Sequence, residues 1–431
     1  MPGTDIMTHS ALILRPDPAR TVIRPFDLED PAPFIVKDHS RAQRIVDRIL
    51  SLEEDELGFE LERVLTSLGE RHRDVEDVLL HRFAEVQGLT IDREATSRDH
   101  ALLIGAYFSE EYSFESAALF NPSIVLHSDQ SGLPDGAVRF AMSLRGIGEG
   151  HVSSVTFRRG IWAADGEVTI HPPSDIVISP RIEAVEGEGD DAVTRILCPG
   201  ARDVSESVLF PVTASQRQGI EDLRLVRFVE EDGSIHYLGT YTAFSGSVAR
   251  SELLRATDFR TFEMRPLRGS AAAAKGMALF PRRIGGKYAM LSRQDNENIW
   301  LLFSDDLYTW EGGTRIIRPK WFWEFVQMGN CGSPIEIDEG WLVITHGVGT
   351  VRNYCIGACL LDKDDPSKVL KRMMLPLVHP SPKERDGYVP NVVYSCGALV
   401  HERRLLLPYG VADSFTTFAS VALDDLLAAM A

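Results

Sequence analysis

Two adjacent carboxylates, Glu221 and Asp222, stand where a turn-like segment gives way to an alternating apolar run. The acidic turn 230–234 follows, and after it comes the aromatic, threonine-rich run 237–244. Alternating runs on either side of a short polar turn predict a β-hairpin with Asp222 at its entrance. A carboxylic acid placed there can protonate a substrate, so we predict that Asp222 is a catalytic acid. Because neighbouring side chains of a strand point to opposite faces, we assign Glu221 a structural role.

The strand pattern of this hairpin recurs along the chain. After about residue 100 the apolar periodicity changes from 3.6 to 2 residues, which is typical of strands. Apolar strands, each followed by a polar loop, a second strand and a short acidic turn, recur at a spacing of roughly 50–60 residues. The matching strands are 137–145, 237–244, 287–293, 340–347 and 404–410. Five copies predict an all-β, five-bladed β-propeller, whereas two tandem β-sandwiches would not repeat in this way.

A propeller would bring the ends of its innermost strands to one central opening. The polar residues that close these strands are Arg145, Asp222, Arg293, His346 and Asp413. We therefore expect a carboxylic acid and several basic groups to face one another there.

The first part of the chain follows a different pattern. Residues 8–33 are rich in proline and polar groups and predict an extended arm. Apolar stripes then recur at helical spacing in three segments, 45–50, 57–68 and 75–83, and predict short amphipathic helices. We predict an N-terminal arm and α-helical extension over residues 1–100, which packs or mediates homo-oligomer contacts, and a catalytic propeller over residues 101–431.

Composition excludes several classes of protein. The 431 residues include 45 Lys and Arg against 63 Asp and Glu, a formal net charge of −18, and no basic stripe suits a nucleic-acid partner. No apolar run approaches membrane-spanning length and no signal peptide is evident. The five cysteines form no Cys-x-x-Cys pair, so we expect buried, reduced thiols in a cytoplasmic protein. The 12 histidines lack ligand spacing, so we predict no catalytic metal.

An ordered set of motifs resembles glycoside hydrolase family 130, which acts on β-mannosides. The matching segments are 121–123, 219–224, 241–243, 275–281, 340–347, 364–367, 389–393 and 409–413. They cover about residues 115 to 430, and the family's five-bladed propeller agrees with the repeats. The chain departs from the family at Leu223, where a proline is common, and in the segment 329–334.

The resemblance implies how phosphate would be bound. Asp222 matches the family's proton donor, and Lys275 matches a lysine of its phosphate pocket. Arg145 and Arg293 are candidate phosphate clamps, because a guanidinium can hold two oxygens at once. His346 suits a phosphate or sugar contact, or a packed position at the end of a strand. A looser match adds a further candidate, Arg250.

The resemblance also implies sugar contacts. Asp413 and Asn121 would accept hydrogen bonds from sugar hydroxyls. Tyr388 and Asn391 match a loop that lines the site, although Asn391 could equally hold the turn after Pro390. We expect Tyr241, together with Phe280, to wall Asp222 and raise the pKa of its carboxyl.

Three functions remain open from the sequence. The first is an inverting β-mannoside phosphorylase that needs no cofactor and uses inorganic phosphate as co-substrate, with a small oligosaccharide as the other substrate. The second is an inverting β-mannosidase, in which a second carboxylate activates water. The candidate bases for it are Glu149, Glu324, Asp386 and Asp413. The third is a non-catalytic, sugar-binding propeller.

Overall fold

The computed structural model describes residues 6–26, 28, 40–381 and 387–431. The chain forms two compact units. One comprises Met1–Pro18, Phe114–Pro173 and Pro180–Ala431, and the other comprises Ala19–Ser113 and Ser174–Ser179. The larger unit is built almost entirely of antiparallel strands, and it begins with β1 (Thr8–Leu14). No helix among the described residues is long and apolar enough to cross a bilayer.

The described residues of the smaller unit form four helices and a two-stranded antiparallel sheet. Its elements are β2 (Thr21–Pro25), α1 (Arg41–Leu50), α2 (Glu54–Gly69), α3 (Val75–Glu85), α4 (Arg98–Tyr107) and β3 (Ser109–Ser113). The three predicted helices are present, but α4 was not expected. Residues 101–105 of α4 are all buried, so the helix has no polar face and its sequence shows no amphipathic stripe.

The largest sheet of the larger unit joins two groups of strands. The first group is β4 (Ala118–Leu126), β5 (Val138–Ile147), β6 (Ser153–Trp162) and β7 (Val168–Ile170). The second group contains β8 (Arg181–Glu186), β9 (Val193–Leu197), β11 (Gly219–Val229), β12 (Ile235–Phe244), β13 (Ala249–Ala256) and β14 (Thr261–Pro266), and the short β10 (Val208–Leu209) pairs with β6. The two groups meet in a parallel pairing of Gly219 with Ser153. Within the second group, β11 pairs antiparallel with β12, which confirms the predicted hairpin.

Three further sheets follow in chain order. They contain β15 (Ala278–Leu279), β16 (Tyr288–Ser292), β17 (Ile299–Ser304) and β18 (Thr314–Ile317); β19 (Gln327–Asn330), β20 (Ile335–Ile337), β21 (Gly340–Val348), β22 (Tyr354–Leu361) and β23 (Val369–Arg372); and β24 (Val393–Tyr394), β25 (Leu399–His401), β26 (Arg404–Val411) and β27 (Phe415–Ala422). A short helix, α5 (Leu423–Ala428), follows the last strand. Each of the five repeated runs predicted from the sequence overlaps a strand, because period-2 alternation is a strong signal where one face is buried.

The last sheet includes a strand from the beginning of the chain. β1 pairs antiparallel with β27, with Thr8 opposite Ser420 and Leu14 opposite Thr416. Residues 8–14 of the segment predicted as an extended arm are thus part of this sheet. In the preceding sheet, which contains β19 to β23, the strand β21 is buried at all nine positions, and its Trp341 is fully buried. Burying a large apolar side chain contributes about 1.5–3 kcal/mol, so burial along its whole length holds β21 in place.

Candidate active site

Two strand irregularities aim polar side chains at one point. The register of β4 shifts between Phe120 and Ser123, and that of β11 shifts between Glu221 and Arg224. Asn121 and Asp222, which lie inside these two shifts, have φ values of 49° and 54°. A β-bulge bends its strand and redirects a side chain. The side chains meet here, where Asn121 Nδ2 donates to Asp222 Oδ1 at 2.7 Å.

Left-handed backbone marks the same part of the larger unit. Besides Asn121 and Asp222, Asn391 (φ 64°) and Asp413 (φ 49°) adopt it, two residues before β24 and two residues after β26. A non-glycine residue in this region costs on the order of 1 kcal/mol, and such strain concentrates at functional sites. All four residues had been singled out from the sequence for their chemistry.

Arg145 links the two adjacent carboxylates. Its Nη1 lies 3.3 Å from Asp222 Oδ1, and its Nη2 lies 2.9 Å from Glu221 Oε1. Ser153 Oγ accepts from Arg145 Nε at 2.7 Å, which fixes the guanidinium. Lys275 Nζ lies 3.1 Å from the other Glu221 oxygen, Oε2. The predicted orientation of Glu221 toward the opposite face is therefore wrong: the bulge after it breaks the alternation and puts both carboxylates on one side.

The cations determine the charge of Asp222. Burial of its carboxyl favours the protonated form, but Arg145, Arg224, the Asn121 hydrogen bond and Lys275 together outweigh it and hold the pKa of Asp222 below its usual value. The expected increase in pKa is thus wrong in direction.

The expected aromatic walls also contact other groups. Tyr241 donates its hydroxyl to Glu252 at 2.6 Å, and Phe280 packs edge-on against Trp341, with ring centroids 5.0 Å apart. Neither residue therefore accounts for the environment of Asp222.

Asp413 has the opposite electrostatic environment. Its burial raises the pKa of the carboxyl to about 6, with Arg145 opposing and the negative charge of Asp222 reinforcing the shift. Two carboxyls that both feel the charge of Arg145 thus have pKa values pushed apart, which is the arrangement by which one site separates a proton-holding group from an ionised one.

A second cluster of polar residues lies beside the first and is joined to it by Arg224. The Arg224 guanidinium donates to the backbone carbonyl of Asp222 at 3.1 Å and to the Tyr394 hydroxyl at 2.9 Å. The Tyr394 ring lies against His346, with centroids 4.9 Å apart. His346 Nε2 accepts from Arg293 Nη1 at 3.2 Å. Burial, with Arg293 and Arg224 adding to it, holds the pKa of His346 well below its usual value, so the imidazole is neutral.

The remaining candidates, Tyr388, Asn391 and Arg250, have no hydrogen bond to Asp222 among the described contacts. Tyr388 is 71% exposed, and its ring centroid lies 5.7 Å from that of His151. His151 lies in the loop between β5, which contains Arg145, and β6. The backbone carbonyl of Asn391 accepts from Tyr354 N at 2.9 Å, which ties this segment to the beginning of β22. Arg250 pairs with Asp190 at 2.8 Å rather than with the carboxylates around Asp222. The structure therefore does not join Arg250 to this cluster.

Of the other candidate bases, Glu324 is bonded to groups away from Asp222. Both carboxylate oxygens of Glu324 are bonded to Arg372, at 2.9 and 3.0 Å, and one also accepts from the backbone N of Lys320 and Trp321. Asp386 lies outside the described residues. Among the residues that the structure describes, no group of three or more His, Cys, Asp or Glu side chains is arranged to hold a metal ion.

Sequence reasoning missed Glu221, Arg224 and Tyr394. Arg224 stands in the motif 219–224, two residues after Asp222. In a regular strand the two side chains would share one face, but the register shift between Glu221 and Arg224 makes this rule unreliable here. The bulge was the unseen element, and a glycine before two consecutive acids was its only signal in the sequence.

A family model and two known proteins match this chain in sequence. A family model described as β-1,4-mannooligosaccharide phosphorylase matches residues 201–431. The chain is 34% identical over 227 residues to 1,2-β-oligomannan phosphorylase of Thermoanaerobacter sp., a match that covers 52% of this chain and 75% of that protein. It is 32% identical over 229 residues to β-1,2-mannobiose phosphorylase of Listeria innocua, covering 51% of this chain and 62% of that protein.

A solved structure is similar in fold. The complex of Listeria innocua β-1,2-mannobiose phosphorylase with β-1,2-mannobiose matches 74% of this chain and 92% of its own, with a TM-score of 0.50 and 24% sequence identity. Asp222, Lys275, Arg293, His346 and Asp413 lie inside the segment that the family model matches, whereas Asn121 and Arg145 precede it.

Proposed function

The chain belongs to the β-mannoside phosphorylases of glycoside hydrolase family 130, and on this basis we propose that it is an inverting phosphorylase. It converts a β-mannooligosaccharide and inorganic phosphate to α-mannose 1-phosphate and a sugar shortened by one residue. The observation that carries the proposal is the contact of one candidate acid, Asp222, with the guanidinium of Arg145. The adjacent carboxylate, Glu221, contacts both Arg145 and Lys275.

The proposed reaction is one displacement at the anomeric carbon. A phosphate oxygen attacks C1 of the terminal mannosyl unit from the face opposite to the leaving sugar. As the C1–O bond to that sugar breaks, its oxygen takes a proton from the Asp222 carboxyl, which becomes a carboxylate. The configuration at C1 therefore inverts from β to α, and no water enters the balance.

The proposed roles of the other residues follow from their charge. Arg145, Lys275 and Arg293 neutralise phosphate, and neutral His346, which accepts from Arg293, orients that guanidinium. Asn121 holds the Asp222 carboxyl by its 2.7 Å hydrogen bond. We propose Asp413 and Tyr388 as sugar contacts, whereas the contacts of Arg250 and Tyr241 support structural roles for these two residues.

Phosphate also bears on how Asp222 obtains its proton. The cations hold the pKa of Asp222 low. A bound phosphate would cancel part of their positive charge, so that the carboxyl binds its proton more readily once phosphate is present. Phosphate would thus be both the nucleophile and the group that prepares the acid.

The direct test is to follow the products with and without phosphate. β-1,2-Mannobiose and β-1,4-mannobiose are each incubated with the protein in phosphate buffer and in phosphate-free buffer, and mannose 1-phosphate is measured by ³¹P NMR. Two relatives are named for β-1,2-linked substrates, so the β-1,2 linkage is tested first. Formation of mannose 1-phosphate only with phosphate supports the proposal, and its absence with both linkages contradicts it.

Asp413 favours one second candidate, an inverting β-mannosidase. A carboxyl beside Arg145 with a pKa of about 6 is suited to take a proton from water. Equal release of free mannose in both buffers, abolished in Asp413→Asn, would assign hydrolysis instead.

The architecture proposed for the larger unit is a five-bladed β-propeller. Its five successive groups of antiparallel strands, whose first members in chain order are β4, β8, β15, β19 and β24, support it. The pairing of β1 with β27 supports ring closure, since it joins the last group to the beginning of the chain. We propose that the helices α1 to α4 of the smaller unit form an extension that mediates homo-oligomer contacts, whereas β1 belongs to the larger unit. The five free, buried cysteines are consistent with the cytoplasmic location that we propose.

A further inference from the structure

Glu221 already occupies two of the cations that are proposed to bind phosphate. One of its carboxylate oxygens lies 2.9 Å from Arg145 Nη2, and the other lies 3.1 Å from Lys275 Nζ. The Glu221 side chain is 16% exposed, so water screens these contacts only in part. A carboxylate that presents one oxygen to a guanidinium and one to an ammonium group uses the same donors that a phosphate oxygen pair would use.

Both cations keep other contacts that do not depend on Glu221. Arg145 donates to Ser153 Oγ at 2.7 Å, contacts Asp222 at 3.3 Å and lies 5.3 Å from the centroid of the Phe120 ring. Lys275 Nζ lies 5.6 Å from the centroid of the Phe244 ring. Removing the charge of Glu221 therefore leaves both cations supported, and what changes most is the net charge that an incoming anion meets.

We propose that Glu221 is an internal competitor of phosphate and thereby sets the affinity of the enzyme for it. Phosphate binds when its oxygens replace the Glu221 carboxylate at Arg145 and Lys275. Like charges repel at this range in a partly buried site, so Glu221 raises the phosphate concentration at which the site fills. The proposal rests on the proposed phosphorylase function and adds a residue that determines how much phosphate the reaction needs.

The test is the phosphate dependence of the variant Glu221→Gln, which keeps the size of the side chain and removes its charge. We expect the KM for phosphate to fall by roughly three- to tenfold, while the KM for mannobiose stays within about twofold. Glu221→Asp, the matched control that keeps the charge, should retain a KM for phosphate close to that of the unaltered enzyme. An unchanged or higher KM for phosphate in Glu221→Gln overturns the proposal.

A double-mutant cycle locates the effect at the cation. In a Lys275→Met background, Glu221→Gln should lower the KM for phosphate clearly less than it does in the presence of Lys275, because one of the two competed cations is gone. An equal effect in both backgrounds contradicts competition at Lys275. If Glu221→Gln fails to fold, as judged by its melting temperature, Glu221→Thr replaces it and must lower the KM in the same direction.

Equilibrium binding separates this proposal from the proposed function. Calorimetric titration with inorganic phosphate measures affinity without turnover, so it applies even if no mannose 1-phosphate is ever formed. Tighter binding to Glu221→Gln than to the unaltered protein supports competition by Glu221 whatever reaction follows. Equal or weaker binding overturns it, even where phosphorolysis itself is observed.

Discussion

Asp222 is held by groups that would have to be reorganised before it could act as an acid. Asn121 and Arg145 both contact its Oδ1 atom, and the Arg224 guanidinium donates to its backbone carbonyl. Each of these contacts favours the carboxylate over the carboxylic acid or fixes the strained backbone. The residue is therefore positioned precisely but charged, and the reaction needs a negative partner that relieves the surrounding cations.

Replacement of Asp222 tests its assignment as the acid. We expect Asp222→Asn to lower kcat by about 10²- to 10⁴-fold, because asparagine keeps the shape but cannot deliver a proton. The measurement is mannose 1-phosphate formation at saturating phosphate. Asp232→Asn is the matched control, since Asp232 lies in the turn of the same hairpin and caps Ser234 N at 2.8 Å. A kcat for Asp222→Asn within a factor of ten of the control value would contradict the assignment.

Asp413 should make stability depend on pH. Its carboxyl has a pKa of about 6 in the folded protein against 3.8 as the ordinary value, so the folded chain binds the proton more tightly than the unfolded chain. The stability that this provides is present below about pH 4 and is lost as pH rises through about 6.

The variant Asp413→Asn has no proton to lose. It should therefore be more stable than the unaltered protein at pH 8, by at most about 3 kcal/mol, and the difference should vanish near pH 4. Urea unfolding at the two pH values measures it. A stability difference that is the same at both values would show that Asp413 does not titrate in this way, while the proposed sugar contact predicts a loss of activity in the same variant.

At the scale of elements, the joint between β6 and β11 determines where Arg145 lies. Gly219 has a φ of 145°, and a Cβ atom added to it would lie 2.7 Å from Ser153 Cβ. Ser153 is the residue that accepts from Arg145 Nε and donates to the carbonyl of Ile220. A methyl group at position 219 must therefore displace either the strand or the serine that holds the guanidinium.

Gly219→Ala should accordingly impair both folding and phosphate binding. We expect a loss of about 1–3 kcal/mol in the free energy of unfolding and a higher KM for phosphate. The control is Gly233→Ala in the hairpin turn, where φ is 82° but no atom lies within 4 Å of the added Cβ. That variant should lose stability and keep its KM. If both variants shift only stability, Ser153 does not transmit the change to Arg145.

The same joint shows how far the sequence could predict the site. Alternation identified the hairpin of β11 and β12, because periodicity is a local property of the chain. It placed Glu221 and Asp222 on opposite faces, because it could not show the bulge that follows Glu221 and redirects Asp222. The low pKa of Asp222 was also out of reach: Arg145 stands 77 residues earlier in the chain, and its charge is brought in by a long-range pairing. The helix α4 was missed for a different reason, since a helix buried on all sides has no amphipathic signal.

For the molecule as a whole, the charge of the site runs against the charge of the chain. The formal net charge is −18, which disfavours the approach of phosphate at long range. At physiological ionic strength this repulsion is screened over about 8 Å, so the local cations around Asp222 decide whether phosphate binds. The local balance is fine enough that one carboxylate, Glu221, can change it.

The pairing of β1 with β27 is where the two distant parts of the larger unit are joined. β1 covers the edge of β27, and Thr417 Oγ1 donates to the carbonyl of Leu12 at 2.9 Å. Leu12 and Leu14 pack against a buried cluster that includes Phe418. Without β1, the backbone N–H and C=O groups of β27 would face solvent and could pair with another chain.

Deletion of residues 1–18 should therefore lower the melting temperature by several degrees and promote aggregation, because it removes both apolar contacts and a paired edge. Thr417→Val serves as the comparison, since it removes one hydrogen bond to β1 at a cost of about 1 kcal/mol while keeping the strand in place. The measurements are calorimetric melting and light scattering. A truncated protein that melts like the unaltered one and stays monodisperse would show that the larger unit is stable without the pairing of β1 with β27. The groups of strands would then have to be held in place by their own packing alone.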